Sequence, residues 1–80
     1  MYYVYAIRSL TRDYIYVGLS VDPERRLKQH NRRWNRTTRA YAPFLLIYSQ
    51  VFPTREEARK REKYLKSGVG KGFLRGLIDK

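Results

Sequence analysis

The sequence predicts an α+β domain in the order β-β-α-β-α-α, and three features carry that prediction. Two early stretches, residues 2–8 and 13–19, are rich in β-branched and aromatic residues around a short polar connection. Two later stretches open on the helix-capping residues Asp22 and Thr54. Between them, residues 44–52 form a near-continuous apolar run preceded by Pro43. No repeat, linker or low-complexity segment divides the chain, so residues 1–80 are expected to form one domain.

The first two stretches read as an antiparallel hairpin. With Ser9–Arg12 as the loop, Arg8 faces Asp13 and Tyr5 lies directly opposite Tyr16. Both phenols then share one face, and Val4, Ala6, Ile15 and Val17 serve the other. Gly18, without a side chain, allows another group to approach closely.

Asp22 and Pro23 then start a helix expected to run to about Arg33, with Pro23 at a position where its missing N–H costs nothing. Arg26 and His30, four apart, project from one face, beside an apolar stripe of Leu27 and Trp34. A permanently charged fork next to the only histidine suits a phosphate. The bland alternative is a solvated basic face with a locally packed histidine.

The apolar run of residues 44–52 is expected to be a buried third strand. Thr54 and Glu57 then form a capping box for a helix to about Ser67. Gly68 is its expected terminator, residues 68–72 a turn, and Phe73, Leu74, Leu77 and Ile78 a short last helix. On the helix from Thr54, the core-facing stripe includes Ala58, Leu65 and, between them, Glu62. A carboxylate on an apolar face is costly to bury unless it is paired or holds a cation. Arg61, Lys63 and Lys66 offer the pairing; a divalent ion completed by waters and a phosphate oxygen is the other option.

Composition narrows the partners. Lys and Arg number 18 against 7 Asp and Glu, a net charge of +11. That field favours a polyanion, and nucleic acid leads. An anionic membrane fits less well, since no segment pairs a long apolar face with the charge. The absence of cysteine suits a reducing cytoplasm. The first eight residues are too short and polar for a signal peptide or a membrane span.

The order and spacing of these elements resemble a GIY-YIG nuclease domain, of the small stand-alone bacterial type related to the N-terminal domain of the excinuclease incision subunit. Val4-Tyr5-Ala6 stands at the first motif and Tyr16-Val17-Gly18 at the second. The stretch from Asp22 to Asn31 resembles the arginine helix, with Arg26 and His30 at its functional positions, and Glu62 resembles the metal-binding glutamate. The first motif keeps Tyr5 without its glycine and isoleucine.

The resemblance implies a three-stranded antiparallel sheet flanked by helices. It also implies hydrolysis of a phosphodiester, DNA in preference to RNA, with one Mg²⁺ or Mn²⁺ ion. Tyr5, Tyr16, Arg26, His30 and Glu62 would be catalytic, and Glu62 the metal ligand. Gly18, Arg25, Lys28, Arg32, Arg33, Arg36 and Arg39 would contact nucleic acid. All five catalytic side chains should then line one positively charged concavity. Two other readings share the charge: a basic nucleic-acid-binding module without chemistry, and an accessory subunit of a larger repair assembly.

Overall fold

The computed structural model describes residues 1–78. Its centre is the first strand, β1 (Tyr2–Ser9), flanked by β2 (Ile15–Ser20) and β3 (Phe44–Phe52) in the order β2-β1-β3. Both pairings are antiparallel. Helix α1 (Pro23–Asn31) follows β2, and a 3-10 turn (Arg39–Tyr41) leads into β3. Helices α2 (Arg55–Lys66) and α3 (Gly68–Ile78) complete the described chain. The expected order and the three-stranded antiparallel sheet are therefore both present.

Strand periodicity sorts the core into two layers. Val4, Ala6 and Val17 face one side and pack with Ala58, Leu65 and Leu74 of α2 and α3. Tyr5 and Ile7 face the other and pack with Leu27, Tyr41, Ala42 and Phe44. Successive residues of a strand point to opposite faces, so alternate residues of β1 serve the two layers. A bulge between Ala6 and Ile7 shifts the β3 register. It lets the neighbours Ile47 and Tyr48 both pack against the α2–α3 layer.

The hairpin register differs from the expected one by two residues. Tyr5 pairs with Gly18, Ile7 with Tyr16, and Arg8 with Ile15. The turn is longer because Ser9 Oγ accepts hydrogen bonds from the Thr11 and Arg12 amides, and Ser9 N donates to Tyr14 O. A shift of two keeps the parity of every side chain. Tyr5 and Tyr16 therefore still share a face, although they are not directly opposed.

Three further expectations are corrected. Helix α1 begins as expected, with Asp22 Oδ1 accepting from Arg25 N, but ends at Asn31 rather than Arg33. Arg33 sits at φ 64, in the left-handed region, and Trp34 is thrown off the apolar stripe to 66% exposure. Strand β3 has the expected bounds but is an edge strand, with Leu45 and Val51 exposed. Of its apolar run only Phe44 is fully buried and Leu46, Ile47 and Tyr48 are half-buried, while the centre of the sheet belongs to β1.

The third correction concerns residues 68–72, which are the first turns of α3 and not a turn between helices. Thr54 Oγ1 caps α2 at Glu57 N as expected, and the helix closes at Ser67. Gly70 then explains the glycine content. A Cβ there would lie 2.0 Å from Tyr64 O and 2.4 Å from Leu65 Cα, so its bare backbone is what lets α3 cross α2. At Gly68, Gly72 and Gly76 an added Cβ would meet nothing within 4 Å.

These contrasting environments predict opposite signs for one chemical change. Gly70→Ala should destabilise by about 1–3 kcal/mol through overpacking. Gly72→Ala, exposed within the helix, should stabilise by about 0.5–1 kcal/mol. Urea denaturation of the two variants beside the parent checks both signs.

Candidate active site

The site is built on the β1 face that carries Tyr5. The Tyr5 ring lies over Gly18, where an added Cβ would fall 2.7 Å from the phenolic oxygen and 2.8 Å from Cζ. The expected close approach at Gly18 is thus made by Tyr5 itself, and Gly18 is buried beneath it. From this seat the Tyr5 hydroxyl meets His30 Nε2 at 3.0 Å. The other ring nitrogen, Nδ1, meets Thr38 Oγ1 at 2.7 Å. Tyr5, His30 and Thr38 are each at most 1% exposed, so a three-residue hydrogen-bonded chain runs through the protein interior.

Helix α1 delivers the remaining groups by its 3.6-residue period. Arg26, one turn before His30, is half-buried, and its Nη1 donates to Gln29 Oε1 at 2.8 Å. Arg26, Gln29, His30, Trp34 and Asn35 line one depression. Tyr16 stands half-buried, its ring centroid 4.9 Å from that of His30 and 6.3 Å from that of Tyr5. Asn31, the last residue of α1, locks the helix to the sheet. Its Nδ2 donates to Phe44 O and its Oδ1 accepts from Phe44 N.

The electrostatics follow from burial and one cation. Burial, with Arg26 adding to it, lowers His30 from 6.5 to about 4. The imidazole is therefore neutral at physiological pH, with one nitrogen free to accept a proton. Burial pushes the Tyr5 phenol above its usual value near 10. The Arg26 guanidinium opposes that shift through a hydrogen bond and its charge, while Tyr16 and Glu62 reinforce it.

Glu62 comes from α2, on the opposite layer of the sheet from Tyr5. Its side chain is 16% exposed, and its negative charge contributes to the Tyr5 shift. Of the three basic neighbours in sequence, Lys66 forms the ion pair, at 3.3 Å. Arg61 is engaged elsewhere, donating to the Tyr48 hydroxyl at 3.1 Å. Among the described residues no group of three or more His, Cys, Asp or Glu side chains could hold a metal. A single carboxylate is compatible with a hard divalent ion that keeps most of its waters and takes further oxygens from a phosphate, and Glu62, paired with Lys66, is the carboxylate in question.

Tyr5, Tyr16, Arg26 and His30 are thus brought together, whereas of Glu62 only the charge reaches Tyr5. The five do not line one concavity as expected, because Arg26 and His30 line the depression while Tyr5 is buried. Arg25, Lys28, Arg32, Arg33, Arg36 and Arg39 are all exposed. Thr38 is the residue that sequence reasoning missed. A buried imidazole needs a partner for its second nitrogen. Asn35, Thr37 and Thr38 all carry a suitable oxygen within eight residues of His30, and nothing local distinguishes them.

A GIY-YIG catalytic domain model matches residues 1–73. The UPF0213 protein of Nitratidesulfovibrio vulgaris is 40% identical over 67 residues, covering 82% of this chain and 60% of that one. The Streptococcus pneumoniae UPF0213 protein is 40% identical over 65 residues, 80% of this chain and 65% of its own. This chain thus spans less than two thirds of either relative. Among solved structures, the solution NMR structure of a UPF0213 protein from Bacillus halodurans superposes with a TM-score of 0.56 at 33% identity. That superposition covers 96% of this chain and 85% of the other.

The lowered histidine gives a pH signature. Between about 4 and 6.5 the unfolded chain binds a proton at His30 that the folded chain does not. Stability should therefore rise with pH across that window, and acidification should cost up to roughly 3 kcal/mol from this residue. Denaturant midpoints at pH 4.5 and 7 should differ more for the parent than for His30→Gln, which cannot titrate.

Proposed function

The chain belongs to the GIY-YIG catalytic-domain family, and we propose that it is a metal-dependent endonuclease hydrolysing phosphodiesters of nucleic acid, DNA in preference to RNA. The observation that carries this reading is the buried Tyr5–His30–Thr38 chain beside Arg26. Binding a polyanion requires exposed charge, which the +11 chain has in plenty. It does not require two titratable groups hydrogen-bonded in the interior beside a half-buried arginine.

Each residue then has a physical role. Arg26 binds the scissile phosphate and stabilises the charge that builds on its equatorial oxygens. Phosphate at Arg26 also offsets one of the two causes that lower His30, so substrate binding raises its proton affinity. Tyr5 is the general base: its oxygen takes a proton from the attacking water as its own passes to His30 Nε2. That transfer needs the tautomer in which Nε2 accepts from Tyr5 and Nδ1–H donates to Thr38 Oγ1, for which both contacts are at hydrogen-bond distance. Tyr16, the more exposed phenol, holds the water at the rim. Glu62 would be the residue to hold a divalent ion, which would supply positive charge to the phosphate.

The exposed arginines from Arg32 to Arg39 and Arg25 and Lys28 on α1 form the surrounding phosphate-binding surface. We place this activity in the cytoplasm, within a larger repair or processing assembly. Among the described residues, no helix is long and apolar enough to cross a membrane. The Glu62–Lys66 pair favours one competitor, a nucleic-acid-binding module or accessory subunit without chemistry, because a carboxylate satisfied by lysine has less to offer a cation.

Cleavage separates the two. Arg26→Ala, Tyr5→Phe and Glu62→Gln should each lose about 10²–10³-fold or more of Mg²⁺-dependent nicking, with DNA affinity largely kept. Their combinations should be far from additive. Full activity in Tyr5→Phe reassigns the base to His30 or Tyr16, and a parent protein inactive in Mg²⁺ and Mn²⁺ on DNA and RNA favours the binding module instead. Affinity itself should fall with salt at a slope of roughly −0.9 per duplex phosphate contact. Arg32→Ala with Arg33→Ala should make that slope shallower for all sequences alike, read from titrations at several ionic strengths.

A further inference from the structure

Trp34 is the only tryptophan of the chain, and it is 66% exposed. It belongs to neither core cluster, so packing does not account for an indole at this position. Its placement is nevertheless defined. Its backbone N–H donates to Gln29 O at 3.1 Å, closing the turn after α1. The Arg32 guanidinium sits 5.6 Å from the ring centroid, a cation–π contact that leaves most of the residue in solvent. Most tellingly, Trp34 shares its depression with Arg26 and His30.

The surroundings fix the chemistry of the ligand. Exposed Arg32, Arg33, Arg36 and Arg39 surround the ring in sequence, so a partner here is anionic as well as flat. An aromatic platform set among arginines suits a nucleobase whose own phosphates engage the cations. A base inside a duplex already has both faces covered by its neighbours. A single exposed indole can therefore stack only on a base that lacks one of them.

We propose that Trp34 is a stacking platform for an unpaired nucleobase next to the phosphate held by Arg26, so that the substrates are single strands, overhangs or flaps. The identity of that phosphate as the scissile one rests on the endonuclease reading; the stacking does not. An unpaired base seated on the ring fixes the strand's path across Arg26. The rim of the site then selects substrate form, and the buried chain beneath it carries the chemistry.

The sole tryptophan is its own probe. Red-edge excitation of the parent protein, in EDTA to prevent cleavage, reports on Trp34 without its tyrosines. Three dye-labelled probes of equal length are compared: a single-stranded oligonucleotide, the same backbone with abasic positions, and a blunt duplex. Anisotropy measures how much of each is bound. At equal occupancy the single strand should quench the emission saturably, and the abasic strand and duplex should quench it little. Trp34→Ala should weaken binding of the single strand by about 5- to 150-fold and leave the abasic strand almost unchanged, while Trp34→Phe should keep most of the affinity. Equal quenching by the abasic strand, or equal weakening of all three probes in Trp34→Ala, overturns the stacking role and leaves the endonuclease reading intact. Failure of all three probes to bind overturns both.

Discussion

The hydrogen bond between the Tyr5 hydroxyl and His30 Nε2 is the contact on which the rest of this structure depends. It joins the central strand to the arginine-bearing helix, and the Thr38 hydroxyl extends it into the connection before β3. All three side chains are buried, where an unpaired polar group costs about 1–3 kcal/mol. Each therefore holds the others in place. Among the described residues, no buried side-chain polar atom is left without a partner. Gly18 is part of the same constraint, because any side chain there would occupy the space of the Tyr5 ring.

The sheet keeps its apolar core and the Tyr5–His30–Thr38 hydrogen-bonded chain on separate faces. Behind it, α2 and α3 bury Ala58, Leu65 and Leu74 against β1 and β2, with Gly70 permitting the close helix crossing. In front, the packing is aromatic and polar, and its shape is set by hydrogen bonds from α1 and the loop. Asn31 strengthens this arrangement by bonding the Phe44 backbone with both amide atoms, as a neighbouring strand would. Glu62 is the exception to the division. It lies on the stripe of the stabilising helix, yet its charge is felt by the phenol on the other face.

Charge operates on two scales. The distributed excess of lysine and arginine draws in a polyanion from any direction and is weakened by salt. Arg26 acts locally, where partial burial reduces screening: it favours the phenolate of Tyr5 and disfavours the imidazolium of His30. A phosphate bound to Arg26, as proposed, would weaken both tendencies at once.

The sequence by itself determined the features that depend on residues close together in the chain. Asp22 and Thr54 cap their helices because an oxygen three residues before an orphan amide needs no distant partner. The shared face of Arg26 and His30 and the bounds of β3 follow likewise from local pattern, whereas the common face of the two tyrosines survives because the register moved by an even number of residues. Tertiary structure decided what depends on contacts between distant segments. The hairpin moved two residues in register where Ser9, whose Oγ donates to the distant Tyr41 O, organised a longer turn. Residues 68–72 became helix because Gly70 could press against the backbone of α2, a use of glycine that local propensity does not encode. Thr38 was singled out from its neighbours only once the loop lay over His30. In each case the deciding energy comes from burial or a hydrogen bond between segments, and neither exists until those segments meet.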